Sequence, residues 1–130
     1  MKTTLIRCVT AYAAVCGLME QEWDYESAYA LTQLRRALQG PVDFFLREEG
    51  KLVDRYGKKD RKGNVCLTER GGFLFWDPAQ AGEYQEKRME LGGVETQAEW
   101  TPQTLPRPER IRPAQLEALE GFISFEGGGA

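Results

Sequence analysis

The sequence predicts an α+β domain: an N-terminal antiparallel helical hairpin packed with a small antiparallel sheet and two further helices. Three observations carry this prediction. Apolar residues recur at helical spacing as far as Tyr56, short β-branched and aromatic runs separated by glycines follow, and proline-opened helical patterns occupy much of the second half.

Leu5, Val9, Tyr12, Cys16 and Met19 are spaced four, three, four and three residues apart, which places them along one side of a first helix. Asp24 is suited to cap a second helix, because its carboxylate can accept the free N–H groups of the first turn. That helix carries Leu31, Leu34, Leu38, Val42, Phe45, Leu52 and Tyr56, and the short link makes residues 4–20 and 25–57 antiparallel neighbours. Pro41 within it removes a backbone donor and crowds the preceding turn, so a bend or a break is expected there. Gly57 is expected to close the helix in the left-handed conformation.

Beyond the polar stretch 58–63, the runs Asn64 to Thr68 and Phe73 to Trp76 read as a β-hairpin turning at 69–72. Alternation puts Phe73 and Phe75 on one face and Leu74 and Trp76 on the other. Asp77, Pro78 and Gln80 form the start of a third helix with a capping box, ending at Gly92 and Gly93. From Val94 to Trp100 a strand alternates Val94, Thr96, Ala98 and Trp100 with Glu95, Gln97 and Glu99, giving one buried and one acidic face. Pro102, Pro106 and Pro108 mark an extended link, and Pro113 opens a last helix with the stripe Leu116, Leu119, Phe122 and Ile123. Residues 1–126 read as a single domain and 127–130 as a flexible tail. No internal repeat is visible.

Composition narrows the function classes. No apolar run approaches the roughly 20 residues of a membrane span, so no membrane partner is expected. The three cysteines Cys8, Cys16 and Cys66 cannot all pair within one chain, which suits a reducing, cytoplasmic compartment. The chain has no histidine and no CxxC, phosphate-loop or dinucleotide motif, so neither a metal nor a cofactor is expected. Glu48 and Glu49 are adjacent and diverge on a helix, and no nucleophile stands beside a recognisable base. The reading is non-enzymatic. Residues 1–70 hold 12 basic and 10 acidic side chains and residues 71–130 hold 5 and 10, an uneven division of a net charge of −3.

Three surfaces are candidates for binding. Arg55, Lys58, Lys59, Arg61 and Lys62 gather five cations around Gly57 and Gly63, a composition that can hold a phosphate-bearing ligand. Phe73, Phe75 and Trp76 load both faces of the hairpin with apolar bulk, so a helix or a second copy of the chain is expected to cover one of them, and these residues are candidates for protein interaction. Glu95, Gln97 and Glu99 offer an acidic face to a basic protein surface.

Several local patterns resemble an uncharacterised family of small proteins from tailed phages and prophages of Gram-positive bacteria. They are Ala28, Tyr29, Ala30 and Leu31 opening the long helix, Lys51 and Leu52 before Tyr56 and Gly57, and Asp60 and Gly63 ahead of the hairpin. The helix ending at Leu91, the acidic strand from Val94 and the helix of Leu116 and Leu119 complete the likeness over residues 5–125; Pro41 departs from it. The resemblance implies a phage accessory protein in the host cytoplasm and carries over no catalytic residue. The leading expectation is a homo-oligomeric counter-defence protein that sequesters a nucleotide signal or blocks a host protein. The alternatives are a virion or tail assembly factor and, third, a nucleic-acid-binding accessory protein, which the negative net charge disfavours.

Overall fold

In the computed structural model, which describes residues 1–70 and 72–127, the N-terminal pattern folds as a helical hairpin. Helix α1 (Leu5–Leu18) and helix α2 (Tyr25–Tyr56) pack side by side, with the Tyr12 hydroxyl donating to Gln39 Oε1 at 3.0 Å across the pair. At the link, the Trp23 indole donates to the Leu18 carbonyl. Asp24 caps α2 by accepting from the Ser27 N–H at 2.7 Å and the Ser27 hydroxyl at 3.0 Å.

The buried face of α1 differs from the expected one. Leu5, Cys8, Ala11, Ala14, Val15 and Leu18 are buried, while Val9, Tyr12 and Met19 lie at the core margin. Both stripes are apolar, so periodicity alone does not choose between them. The small side chains of Cys8, Ala11 and Ala14 let neighbouring helices approach closely, and they take the inner position. On α2 the expected Leu31, Leu34, Leu38, Val42, Phe45 and Tyr56 are all buried.

Pro41 does not break α2, which runs as one helix from Tyr25 to Tyr56. Proline leaves the Ala37 carbonyl without its usual N–H partner, but the buried Leu38, Val42 and Phe45 beside it anchor both flanks.

The strands depart most from expectation. The strand proposed for 94–100 is shortened to β2 (Glu95–Gln97) and pairs antiparallel with an unforeseen N-terminal β1 (Lys2–Thr4), Thr3 opposite Thr96. Thr96, Ala98 and Trp100 do turn inward, and Val94 is exposed. A second pair, β3 (Gln103–Leu105) with β4 (Ile123–Phe125), is parallel, so there is no single antiparallel sheet. Helix α3 (Pro78–Gly92) starts at Asp77, whose carboxylate accepts from the Gln80 N–H at 3.1 Å. The Gln80 side-chain oxygen is buried without a partner, so the reciprocal half of the expected capping box is not made. Helix α4 (Pro113–Leu119) is shorter than its stripe implied: Gly121, at φ +86°, turns the chain and sends Ile123 into β4. The proposed tail lies outside the described residues from 128 onward.

The main core joins α1, the first part of α2, Ala98, Trp100, Leu105, Leu119, Phe122 and Ile123. The Trp100 indole, donating to the Phe122 carbonyl at 3.0 Å, ties the chain leading into β3 to the turn before β4. Leu38 has no exposed surface, so Leu38→Ala should lower the free energy of urea unfolding by about 2 to 5 kcal/mol. Gly50 faces open space inside α2, and Gly50→Ala should raise the same quantity by about 0.4 to 1 kcal/mol.

The Asp24 carboxyl titrates below its ordinary 3.8, chiefly because the Ser27 N–H donates to its charged form. Its contribution is present above that ordinary value and is lost as pH falls through the lowered one. Thermal unfolding across that acid range should therefore show a steeper loss of stability for the parent than for Asp24→Asn.

Candidate functional site

Gly57 to Lys59, Val65 to Leu67 and Phe73 to Phe75 are three short extended segments, each bridged antiparallel to the other two through Gly57–Phe75, Lys59–Val65 and Leu67–Phe73. The expected hairpin is therefore two sides of a closed triangle whose third side is the residue run leaving α2. Its hydrogen bonds form a ring: Lys58 N–H donates to the Leu74 carbonyl at 2.7 Å, Leu74 N–H to Cys66 at 3.0 Å and Cys66 N–H to Lys58 at 2.7 Å. These residues stand eight apart, a spatial repeat that side-chain identity conceals. The corners repeat too. Asp60 N–H bonds the Asn64 carbonyl and Thr68 N–H the Gly72 carbonyl, both at 2.8 Å, while the Asp60 carboxylate and Thr68 hydroxyl accept from Asn64 and Gly72 N–H, both at 3.0 Å. Gly71 lies outside the described residues.

Gly57 is extended, at φ −74° and ψ 140°, rather than left-handed as expected. A glycine is needed there for space. An added Cβ would lie 2.6 Å from the Val53 carbonyl oxygen, 2.9 Å from Val65 and 3.2 Å from Phe73.

On the face turned to α3, the tilted rings of Phe73 and Phe75 lie 4.6 Å apart between centres and meet Tyr84 of α3 at 5.0 and 5.6 Å, with Tyr56 edge-on to Tyr84 at 6.4 Å. This is a second apolar cluster. Arg88 closes it, donating to Glu49 at 2.6 Å and lying 5.4 Å from the Phe45 ring centre. Burial, and then the Glu49 carboxylate, push the Tyr84 hydroxyl above its ordinary value, so it stays protonated and neutral near pH 7. Glu48 pairs instead with Lys51 at 3.0 Å, so the two adjacent glutamates diverge as the helical geometry requires.

The outer face is different in kind. Leu74 is 44% exposed and Trp76 59%, with the Lys58 ammonium 5.8 Å from the Trp76 ring centre, whereas Leu67, 72% exposed, is bridged to Phe73 and shares its register. Of the basic set, Arg55 lies over the Tyr56 ring, Lys59 pairs with Asp54 at 3.2 Å, and Lys58, Arg61 and Lys62 are exposed without an ion pair among the described residues. The N–H groups of Gly57, Lys62, Gly63 and Asn64 are already engaged. Asp60 accepts from Lys62 N–H at 2.8 Å as well as from Asn64, Gly63 N–H bonds the Asp60 carbonyl, and Gly57 N–H bonds Val53. A carboxylate of the chain itself sits where an incoming anion would.

Glu95 and Gln97 are exposed on β2 and Glu99 beyond it, with Glu95 3.6 Å from the Lys2 ammonium. Three concave regions stand out among the described residues, and none is lined by the basic loop. They lie beside Gly17 and Arg112, between α4 and β4, and beside Asp24 and Leu105. Spacing in the sequence held no signal for them, because each is built from chain distant in sequence or from the unforeseen β4. Among the described residues no three His, Cys, Asp or Glu side chains gather as a metal ion would need. Burial pushes the Cys8 thiol up, away from the thiolate that a nucleophile requires. No helix among the described residues is long and apolar enough to cross a membrane.

The architecture is an α+β fold in which a helical hairpin carries a bridged triangle on the end of its long helix. No family model, no curated protein and no solved structure matches the chain.

Gly57→Ala should destabilise the triangle by about 1 to 3 kcal/mol through overpacking. The check is faster amide hydrogen exchange at Cys66 and Leu74 with exchange at Leu34 unchanged.

Proposed function

We propose that this chain is a non-enzymatic binding protein that engages a host protein through the outer face of the triangle. One observation carries the reading: Leu74 and Trp76 are exposed on the face of a small unit whose alternate register, Phe73 and Phe75, is already satisfied by Tyr84. An apolar surface containing a tryptophan, with the exposed Lys58 ammonium beside its ring, has the anatomy of a protein-binding patch. Its partner would present an apolar surface edged by carboxylates. The engagement of the loop N–H groups by Asp60 favours a protein over a nucleotide signal. The likeness to a phage accessory family supports a partner in a bacterial cytoplasm, with blocking of an antiphage defence as the leading role. The same face would be covered in a homo-oligomer, which light scattering at micromolar concentration detects as a mass above that of one chain.

The test is phage plating on hosts that each carry one defence system, with the parent chain or a variant expressed. The Leu74→Ser, Trp76→Ser double variant should fold and lose protection, whereas Lys58→Glu, Lys59→Glu, Arg61→Glu should keep part of it. The reverse pattern, with a nucleotide-dependent rise in melting temperature, would reassign the site to a signal molecule. No protection on any host, with copurification of tail or capsid proteins, would favour virion assembly.

A further inference from the structure

The parallel pair β3–β4 has an open side. In a parallel ladder, alternate residues of a strand direct their peptide groups to a given neighbour. Gln103 N–H donates to the Phe122 carbonyl at 3.3 Å and Glu126 N–H to the Leu105 carbonyl at 2.8 Å, so Phe122, Ser124 and Glu126 address β3. The N–H and C=O groups of Ile123 and Phe125 therefore point the other way, where no strand among the described residues pairs with them.

That open edge borders a groove. Pro113, Leu116, Glu117 and Glu120 form one wall and Ile123, Ser124 and Phe125 the other, around a volume of about 670 Å³. Leu116 is 48% exposed there, whereas Leu119 of the same helix is fully buried. Glu117 and Glu120 form no ion pair among the described residues. The neighbouring cation, Arg7, donates to the Glu120 carbonyl and lies 5.6 Å from the Phe122 ring centre, so the carboxylates keep their charge uncompensated.

We propose that this groove docks an extended, basic peptide segment of a partner protein, which adds to β4 as a third strand. Main-chain bonds to Ile123 and Phe125 supply affinity, and every second side chain of the peptide enters the groove, apolar ones against Leu116 and Pro113 and lysine or arginine against Glu117 and Glu120. A second copy of this chain is a poorer occupant. Antiparallel addition of β4 to β4 about a two-fold axis normal to the sheet puts both α4 helices on one face, where their four carboxylates repel. The site is separate from the outer face of the triangle and does not rest on it.

Fluorescence anisotropy of the intact protein tests the proposal, with a labelled peptide in which valine and lysine take turns at every second position and serine fills the positions between. Saturable binding is expected, weakened at least about tenfold when glutamate replaces lysine in the peptide and when the protein carries Glu117→Lys with Glu120→Lys. Peptides N-methylated on one or the other alternate set of nitrogens separate strand addition from charge attraction: one set should abolish binding and the other should leave it. Phe125→Pro removes an N–H that the fold does not use and should also abolish binding. If that variant fails to fold, the N-methylated peptides on the unaltered protein decide alone. Absence of saturation, or equal binding of both N-methylated peptides, would overturn the proposal. A sedimenting dimer that excludes the peptide would also overturn it and assign the edge to a second copy.

Discussion

The structure depends on α2 remaining one rigid element through Pro41. At about 1.5 Å per residue its 32 residues reach about 48 Å, long enough to serve two separate apolar clusters. The first part of its buried stripe, Leu31 to Val42, lies in the main core with α1, and Phe45 and Tyr56 belong to the second cluster with α3. A hinge at Pro41 would uncouple the two. Burial of Leu38, Val42 and Phe45 around the proline supplies the packing that offsets its missing hydrogen bond.

The second cluster explains how so small a unit as the triangle holds its shape. Two or three isolated bridges do not hold a conformation in water, and a free hairpin is marginal. Here Gly57 lets the segment leaving α2 lie against Val65 and Phe73, and Tyr84 wedges the aromatic face onto α3. The Glu49–Arg88 pair, partly shielded from solvent, joins α2 to α3 behind it. With one face committed to this packing, the apolar side chains of the alternate register have to face outward.

The binding surfaces argued above share a physical origin, since each is what an element has left after its core obligations are met. On the triangle, Leu74 and Trp76 occupy the register opposite Phe73 and Phe75. On β4, the peptide groups of Ile123 and Phe125 occupy the register opposite β3. The first is a side-chain surface suited to an apolar patch, and the second a main-chain surface suited to an extended strand.

By itself the sequence determined the helices and the alternation of the acidic strand. Leu31, Leu34, Leu38, Val42 and Phe45 repeat at a helical period, Asp24 and Asp77 mark starts with their own carboxylates, and Glu95, Gln97 and Glu99 face solvent as alternation requires. These are local properties, set by interactions within a few residues. Which stripe of α1 turns inward was decided by tertiary structure, because two apolar stripes compete and only neighbouring helices favour the small Cys8, Ala11 and Ala14. The partners of the strands were decided there too. β1 and β4 are three-residue strands whose pairing comes from chain far away in sequence, and the triangle closes through Gly57, which is read locally as a helix end. Hydrogen bonds between distant segments leave no period in the chain, so the open edge of β4 and the groove beside it exist only once the fold has formed.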